Sequence, residues 1–147
     1  MPELHRSALL PMAVEDVYEI VADVASYPEF LPWCRSAAML VSEPHRFVAT
    51  LTVEGKGFTE KFTTAAALEP PFSIRLSLVE GPFRQFDGEW RLSRLGDNQG
   101  CKVELMLRFR FRGSKTVLAK AFAGVFSRAA DSMVDAFCRR AHDKLDG

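Results

Sequence analysis

A nearly unbroken alternation of apolar and polar residues runs from Cys101 to Phe111 and constrains the fold more than any other feature of the chain. In a strand, successive side chains point to opposite faces, so the alternation makes one face apolar and places charged side chains such as Lys102 and Arg108 on the other. Five further strand-like runs precede it from about Ala37, separated by short turns rich in Gly, Pro, Asn and Asp. Turns this short predict antiparallel neighbours. One face of the sheet must therefore be covered by another element.

The two ends of the chain supply a first strand and the cover. Glu3–Leu10 has the pattern of a strand, and Val14–Ala22 has apolar residues at helical spacing. Near the C-terminus, Ser114 can cap a helix that runs to about Leu145, with apolar residues three and four positions apart. The predicted fold class is α+β: about seven antiparallel strands wrapped around one long C-terminal helix, in β-α-loop-β₆-α order.

Length and composition indicate one domain over residues 1–147. Hydrophobic residues make up 48% of the chain and charged residues 26%, and no internal repeat or linker-like tract divides it. The longest apolar stretch is far shorter than the roughly 20 residues of a bilayer-crossing helix, and the first residues lack the pattern of a secretory signal. We expect a cytoplasmic protein, with peripheral contact at the inner face of the membrane as an option.

Cysteine and histidine usage argues against disulfides and metal. The 3 Cys and 3 His are scattered, without a C-x-x-C motif or a His pair at helical spacing. We expect buried reduced thiols, no bound metal and no required cofactor.

Charge is unevenly distributed along the chain. The formal net charge is zero, which argues against DNA as a partner, yet residues 108–147 carry 9 Lys/Arg against 4 Asp/Glu. Arg108, Arg110 and Arg112 alternate on the face predicted to point away from the helix, about 7 Å apart. This row is a candidate docking surface for anionic lipid headgroups or ribosomal RNA phosphates. The alternative is a solvated outer face.

Aromatic residues exceed what a thin core needs, with 12 Phe and 2 Trp. They are either plain core packing or the lining of a cavity under the C-terminal helix. An unfilled void of about 300 Å³ would cost about 7 kcal/mol at about 24 cal/mol per Å³, so such a space should be small, collapsed or filled. A guest chain of about ten methylenes would gain about 8 kcal/mol on burial.

Three local features are candidates for the edge of such a cavity. The segment Tyr27–Trp33 holds three aromatics between two prolines and is either an entrance lip or a structural plug. The turn before Phe83 and Arg84 either presents both residues at a cavity mouth or is a plain turn. Glu60 lies at a strand position where the alternation calls for an apolar residue. We interpret it as a bulged residue rather than as a polar contact for a ligand.

Several of these residues carry a family resemblance. The string Tyr27–Cys34 (Tyr-Pro-Glu-Phe-Leu-Pro-Trp-Cys), the turn Glu80–Arg84 with Gly-x-Trp at 88–90, and Cys101–Leu105 resemble the RatA-type, coenzyme Q-binding branch of the START-like (helix-grip) proteins. The likeness covers nearly the whole chain. It implies a sheet that grips a long helix around an elongated apolar cavity.

The resemblance implies three functions of different classes. The first is a non-catalytic binding protein or chaperone for the isoprenoid tail of ubiquinone or a similar lipid, which supports respiration. The second is a toxin that binds the large ribosomal subunit and blocks subunit joining. The third is an enzyme like the polyketide cyclases, which we do not favour because the predicted cavity face offers no histidine and the chain has no G-x-S-x-G motif.

We predict the first function, with a hydrophobic small molecule as partner. Transient membrane-surface contact and the large ribosomal subunit are the further partners considered, and bound ubiquinone or another lipid is the expected ligand. The predicted ligand-binding residues are Tyr27, Phe30, Trp33, Phe62, Phe83, Phe86, Trp90, Phe109, Phe122, Phe126 and Met133.

Overall fold

Helices and strands form largely where the sequence pattern predicts them. The computed structural model describes residues 3–55, 57–112 and 117–145, apart from the side chains of residues 117–119 and 122. The elements are β1 (Glu3–Leu10), α1 (Val14–Ala22), a 3₁₀ helix (Val24–Glu29), β2 (Cys34–Glu43), β3 (Arg46–Gly55), β4 (Phe58–Glu69), β5 (Ser73–Glu80), β6 (Phe83–Leu95), β7 (Gly100–Phe111) and α2 (Val117–Leu145). The predicted bounds of β1 and α1 are confirmed.

The seven strands form one antiparallel sheet in the order β1-β7-β6-β5-β4-β3-β2. Strands β2 to β7 follow one another as hairpins, because the connections between them are short turns. Strand β1 then pairs with β7, from Glu3 opposite Arg108 to Leu10 opposite Cys101. The predicted antiparallel sheet and element order are confirmed.

Helix α2 covers the apolar face of the sheet. On β7, Leu105 and Leu107 are buried while Arg108 and Arg110 are exposed, as the alternation predicts. The buried side of α2 repeats every three or four positions, at Phe126, Ala130, Val134, Phe137 and Ala141. The helix ends at the predicted residue, and the predicted cap Ser114 lies outside the described residues. No helix of the described part is both long and apolar enough to cross a bilayer.

The cysteines of the structure are free, and two of them are buried. Burial raises the pKa of the Cys34 and Cys101 thiols to about 11, so both are protonated at neutral pH. The expectation of buried reduced thiols is confirmed for these two residues, whereas Cys138 is half-buried.

The turn between β6 and β7 caps the first turn of α1. The N-cap residue, Ala13, makes no side-chain cap, and Asn98 replaces it by accepting a 3.1 Å hydrogen bond from the Val14 N–H. The Asn98 amide also donates to Glu15 at 2.6 Å, and Arg94 pairs with the same carboxylate. These two partners lower the pKa of Glu15 to about 2. Asn98 has a φ of 67°, a backbone conformation that Asn tolerates better than most residues.

Replacing Asn98 should destabilise the fold through the lost cap. We expect Asn98→Gly, which suits the positive φ, to lower the free energy of unfolding by about 1 kcal/mol. Asn98→Ala should cost about 1 kcal/mol more, because an alanine is strained at this φ. Urea denaturation measures both variants, and a glycine variant as stable as the parent would show that the side-chain hydrogen bonds contribute nothing.

Candidate ligand-binding site

A cavity of about 60 Å³ lies between the inner face of the sheet and α2. Seven of the predicted ligand-binding residues line it: Tyr27, Trp33, Phe62, Phe86, Trp90, Phe126 and Met133. Nine lining residues were not predicted: Val21, Val24, Phe47, Leu51, Thr64, Ile74, Leu76, Leu105 and Leu107. Five of the nine are Leu or Ile residues at inward-facing positions of their strands. The apolar alternation of these strands could have identified them, whereas the prediction relied on the surplus of aromatic residues.

Phe126 closes the cavity on one side at the centre of a cluster of rings, the Phe126 cluster. Its ring centroid lies 4.9 Å from that of Phe83 and 5.2 Å from that of Phe109, in edge-to-face contacts. Three more rings lie within 6.0 Å of it, those of Phe62, Phe86 and Phe111. The cluster therefore joins β4, β6 and β7 to the helix.

A second group of rings, around Phe137, closes the opposite side. The Phe137 centroid lies 5.0 Å from Trp90 and 5.1 Å from Tyr27. The Tyr27 hydroxyl donates a hydrogen bond to the Val21 carbonyl, and burial raises the pKa of this phenol far above its usual range. Tyr27 is therefore a neutral, anchored wall of the cavity, which matches the structural plug rather than the entrance lip.

The other two aromatic residues of the Tyr27–Trp33 segment differ in position: Trp33 lines the cavity and Phe30 does not. Phe30 does not line the cavity: the Arg140 guanidinium lies 4.9 Å from its ring centroid, and the same guanidinium pairs with Glu29 at 2.7 Å. Trp33 is half-buried and lines the cavity. Of the three aromatics of the segment, Trp33 is thus the one that both borders the cavity and reaches solvent.

Two predicted residues of the Phe126 region, Phe83 and Phe109, do not line the cavity either. Phe83 is 2% exposed, so its predicted place at a cavity mouth is wrong, because the strand turns its ring inward into the cluster. Arg84 next to it is exposed. Phe109 is also buried within the cluster, and the side chain of Phe122 lies outside the described residues.

The bulge predicted at Glu60 is wrong. Glu60 pairs with Val53 in an uninterrupted register between β3 and β4, and the irregularity of β4 lies between Thr63 and Thr64, toward β5. Glu60 is exposed and does not line the cavity.

The cavity is built for apolar contacts. Among its described lining residues Tyr27 is the one ionisable group, and Thr64 adds a hydroxyl. The charged residues Asp23, Glu60 and Arg84 do not line it. The described residues contain no cluster of His, Cys, Asp and Glu that could hold a metal ion.

The size of the cavity limits what fits without movement. At about 60 Å³ it is less than half the size of the roughly 150 Å³ cavity that holds a benzene molecule in other proteins. The expectation that the space is small holds in this conformation. A prenyl chain would need the Phe126 cluster, α2 or both to shift.

Comparison with known proteins places the chain in a family. A family model described as polyketide cyclase / dehydrase and lipid transport matches residues 10–138. The ribosome association toxin RatA of Vibrio cholerae is 41% identical over 141 residues, which cover 96% of this chain and 96% of that protein. The chain belongs to this family and to its RatA-type branch. The predicted branch is thereby confirmed.

Two further relatives bear on fold and function. The coenzyme Q-binding protein COQ10 homolog B of Xenopus laevis is 29% identical over 143 residues, which cover 95% of this chain and 57% of that protein. The crystal structure of the Zhui aromatase/cyclase from Streptomyces sp. R1128 superposes with a TM-score of 0.84 at 20% identity, covering 98% of this chain and 95% of that one. At this identity the second likeness concerns the fold alone, and it confirms the helix-grip architecture.

Truncating the central ring should open the cavity and destabilise the protein. We expect Phe126→Ala to lower the free energy of unfolding by about 3–5 kcal/mol, because five rings lose their common contact. A small apolar compound such as toluene should restore part of this loss by filling the space. Urea denaturation with and without toluene measures both effects. Phe72→Ala, at a ring that is 41% exposed, is the control and should change stability by less than about 1 kcal/mol.

Proposed function

We propose that this protein binds the apolar tail of a lipid, in particular a prenylquinone such as ubiquinone, and shields it from water without transforming it chemically. The observation that carries the proposal is the lining of the cavity, in which Tyr27 is the one ionisable group among the described residues and its hydroxyl is already bonded to the backbone. The family description, which includes lipid transport, and the coenzyme Q-binding relative support the same ligand class.

Loading requires the cavity to grow, and α2 is the element best placed to allow it. Phe126 projects from α2 into the cluster, and Gly124 two residues before it weakens the helix locally by about 1 kcal/mol relative to alanine. Burial of ten methylenes contributes about 8 kcal/mol, which exceeds the roughly 3–5 kcal/mol associated with a displaced buried phenylalanine. A tail can therefore replace the Phe126 ring as the filling of the core. We infer an outward movement of this part of α2 as the loading step.

Under this proposal the protein needs no cofactor or metal, because the lipid that it binds is carried and not transformed. We place the protein in the cytoplasm, with transient contact at the inner face of the membrane, where a quinone with a long tail resides. The absence of an acid, a base or a metal site in the described cavity lining supports binding over cyclase chemistry.

The direct test is to identify what the purified protein carries. Organic-solvent extraction of protein from its native host, followed by mass spectrometry, should recover a prenylquinone in stoichiometric amounts. Added ubiquinone should also raise the melting temperature of delipidated protein. Protein that is consistently free of lipid, and whose melting temperature does not respond to quinone, would contradict the proposal.

Filling the cavity should block loading while the fold persists. Leu76 lines the cavity on β5, and Leu78 lies two residues along the same strand and outside the lining. We expect Leu76→Phe to reduce quinone binding at least tenfold, because the larger ring occupies the space for the tail. Leu78→Phe is the matched control and should bind normally. Fluorescence titration measures binding, and circular dichroism checks both folds; equal affinities of the two variants would contradict the assigned cavity.

Ribosome association is a second candidate function, favoured by the name of the Vibrio cholerae relative. The predicted docking row lies on the outer face, where Arg108, Arg110 and Arg112 are all exposed. Arg108 pairs with Asp87 at 3.6 Å, and Arg112 follows the last residue of β7. A lipid carrier with a ribosome-facing surface is physically consistent, so the two functions do not exclude each other.

Overexpression tests the second function. If the protein binds the large subunit, sucrose gradients should show a shift from 70S particles to free subunits, and replacing Arg108, Arg110 and Arg112 with Glu should relieve it through phosphate repulsion. An unchanged gradient profile on overexpression of the parent protein would count against ribosome binding.

A further inference from the structure

Three exposed arginines meet at one end of the outer sheet face. Arg84 lies at the start of β6, Arg110 lies near the end of β7, and Arg112 follows that strand directly. We call them the three-arginine patch. It differs from the row predicted from sequence, because Arg84 belongs to it and Arg108 does not.

A β-bulge creates the patch. Phe83 pairs with Phe111 and Gln85 pairs with Arg110, so Arg84 is the extra residue of β6. Because the rings of Phe83 and Phe86 both point into the core, Arg84 and Gln85 share the outer face beside Arg110. Sequence alternation alone would turn Arg84 and Gln85 to opposite faces.

Arg112 joins the patch by extending the ladder. Its N–H donates to the Pro82 carbonyl at 3.2 Å, so the backbone continues past the end of β7 beside the β5–β6 turn. Residues two apart in extended backbone lie about 7 Å from each other, and cross-strand neighbours lie about 5 Å apart. Three guanidiniums therefore concentrate within a small area.

The patch carries positive charge that its surroundings do not neutralise. Within the described residues, none of its three arginines forms an ion pair with a carboxylate. Seven other arginines of the described strands do, each with its own partner: Arg6 with Asp131, Arg35 with Glu54, Arg46 with Glu43, Arg75 with Glu69, Arg91 with Glu89, Arg94 with Glu15 and Arg108 with Asp87. The patch thus places three uncompensated charges together at this end of the sheet.

The Phe126 cluster lies directly beneath this end of the sheet. Phe83 and Phe111, which flank Arg84 and Arg112 in the chain, stack on each other with centroids 5.4 Å apart, and both contact Phe126. The rings of Phe62, Phe86 and Phe126 in turn line the cavity. The patch therefore borders the side of the molecule where the aromatic cluster separates the cavity from the exterior.

The geometry points to the three-arginine patch as a docking surface for anionic lipid headgroups, which holds this end of the sheet against a membrane. Its position beside the Phe126 cluster would let a tail pass between bilayer and cavity, a consequence that rests on the proposed function. Docking itself does not require a loaded cavity.

A membrane fits the patch better than a nucleic acid does. A flat bilayer touches only one end of the molecule, where the arginines are unpaired. An RNA lying along the outer face would extend over arginines that already pair with Asp87 and Glu89, and these arginines have less positive charge to offer to phosphates. The described patch also lacks an aromatic platform on the outer face for stacking bases.

Vesicle sedimentation tests the proposal. The full-length protein should bind vesicles of 70% phosphatidylcholine and 30% phosphatidylglycerol at least tenfold more tightly than pure phosphatidylcholine vesicles, and 0.5 M salt should abolish the difference. Each arginine replaced by Gln should weaken binding about fivefold, and the triple variant Arg84→Gln/Arg110→Gln/Arg112→Gln about a hundredfold.

A second triple variant separates the patch from bulk charge. Arg46→Gln/Arg75→Gln/Arg91→Gln removes the same charge from ion-paired positions of the same sheet and should retain most of the binding. Equal loss in the two triple variants, or no preference for anionic vesicles, would overturn the proposal. So would a patch variant that loses affinity for ribosomal RNA in a filter-binding assay while its vesicle binding is unchanged.

The docking proposal and the carrier proposal fail separately. Leu76→Phe, expected to lose quinone binding, should sediment with anionic vesicles like the parent. If the parent protein binds quinone but shows no preference for anionic vesicles, only the docking proposal fails. If vesicle binding follows the patch while no quinone binds, the carrier proposal fails and docking stands.

Discussion

The packing of α2 against the apolar face of the sheet is the contact on which the rest of the structure depends. An antiparallel sheet with one apolar face exposes a large area to water unless another layer covers it. Here one helix does so, and Phe126 brings β4, β6 and β7 together through ring contacts at 4.9–6.0 Å. Because that one ring meets rings of β4, β6 and β7, the position of α2 determines both the stability of the core and the size of the cavity.

The same contact explains why the cavity is small. A large unfilled space would cost free energy in proportion to its volume, so side chains close over it in the conformation described. The Phe126 cluster and the group around Phe137 close it from two sides and leave about 60 Å³ between them. Under the proposed function, a guest tail would replace the Phe126 ring as the apolar filling of such a core, because its burial contributes more free energy than the displaced ring does. The residues that stabilise the core in this conformation are therefore the same ones that would have to move for a ligand to enter.

The alternation of inward-facing and outward-facing residues along the strands predicted much of the site. The prediction failed where the chain departs from regular strand geometry. Alternation identified Phe86 and Trp90, which line the cavity. The turn before Phe83 suggested an exposed side chain. In the structure the register of β6 shifts just after Phe83, and its ring is buried in the core. Phe30 was misplaced because its half-buried ring packs against Tyr27 and Phe137, beside the guanidinium of Arg140, which is distant in the chain.

The sequence by itself determined the element order, the apolar face of the sheet and the family, because alternation, helical spacing and turn residues act over a few positions. Only the tertiary structure decided which rings border the cavity and which close it, and which arginines of the described part form ion pairs. Those outcomes depend on contacts between residues far apart in the chain, such as Arg108 with Asp87 and Phe126 with Phe83. A local pattern carries no information about such distances, so the size of the cavity and the place of the free charge follow from the packing of α2 and from a single bulge in β6.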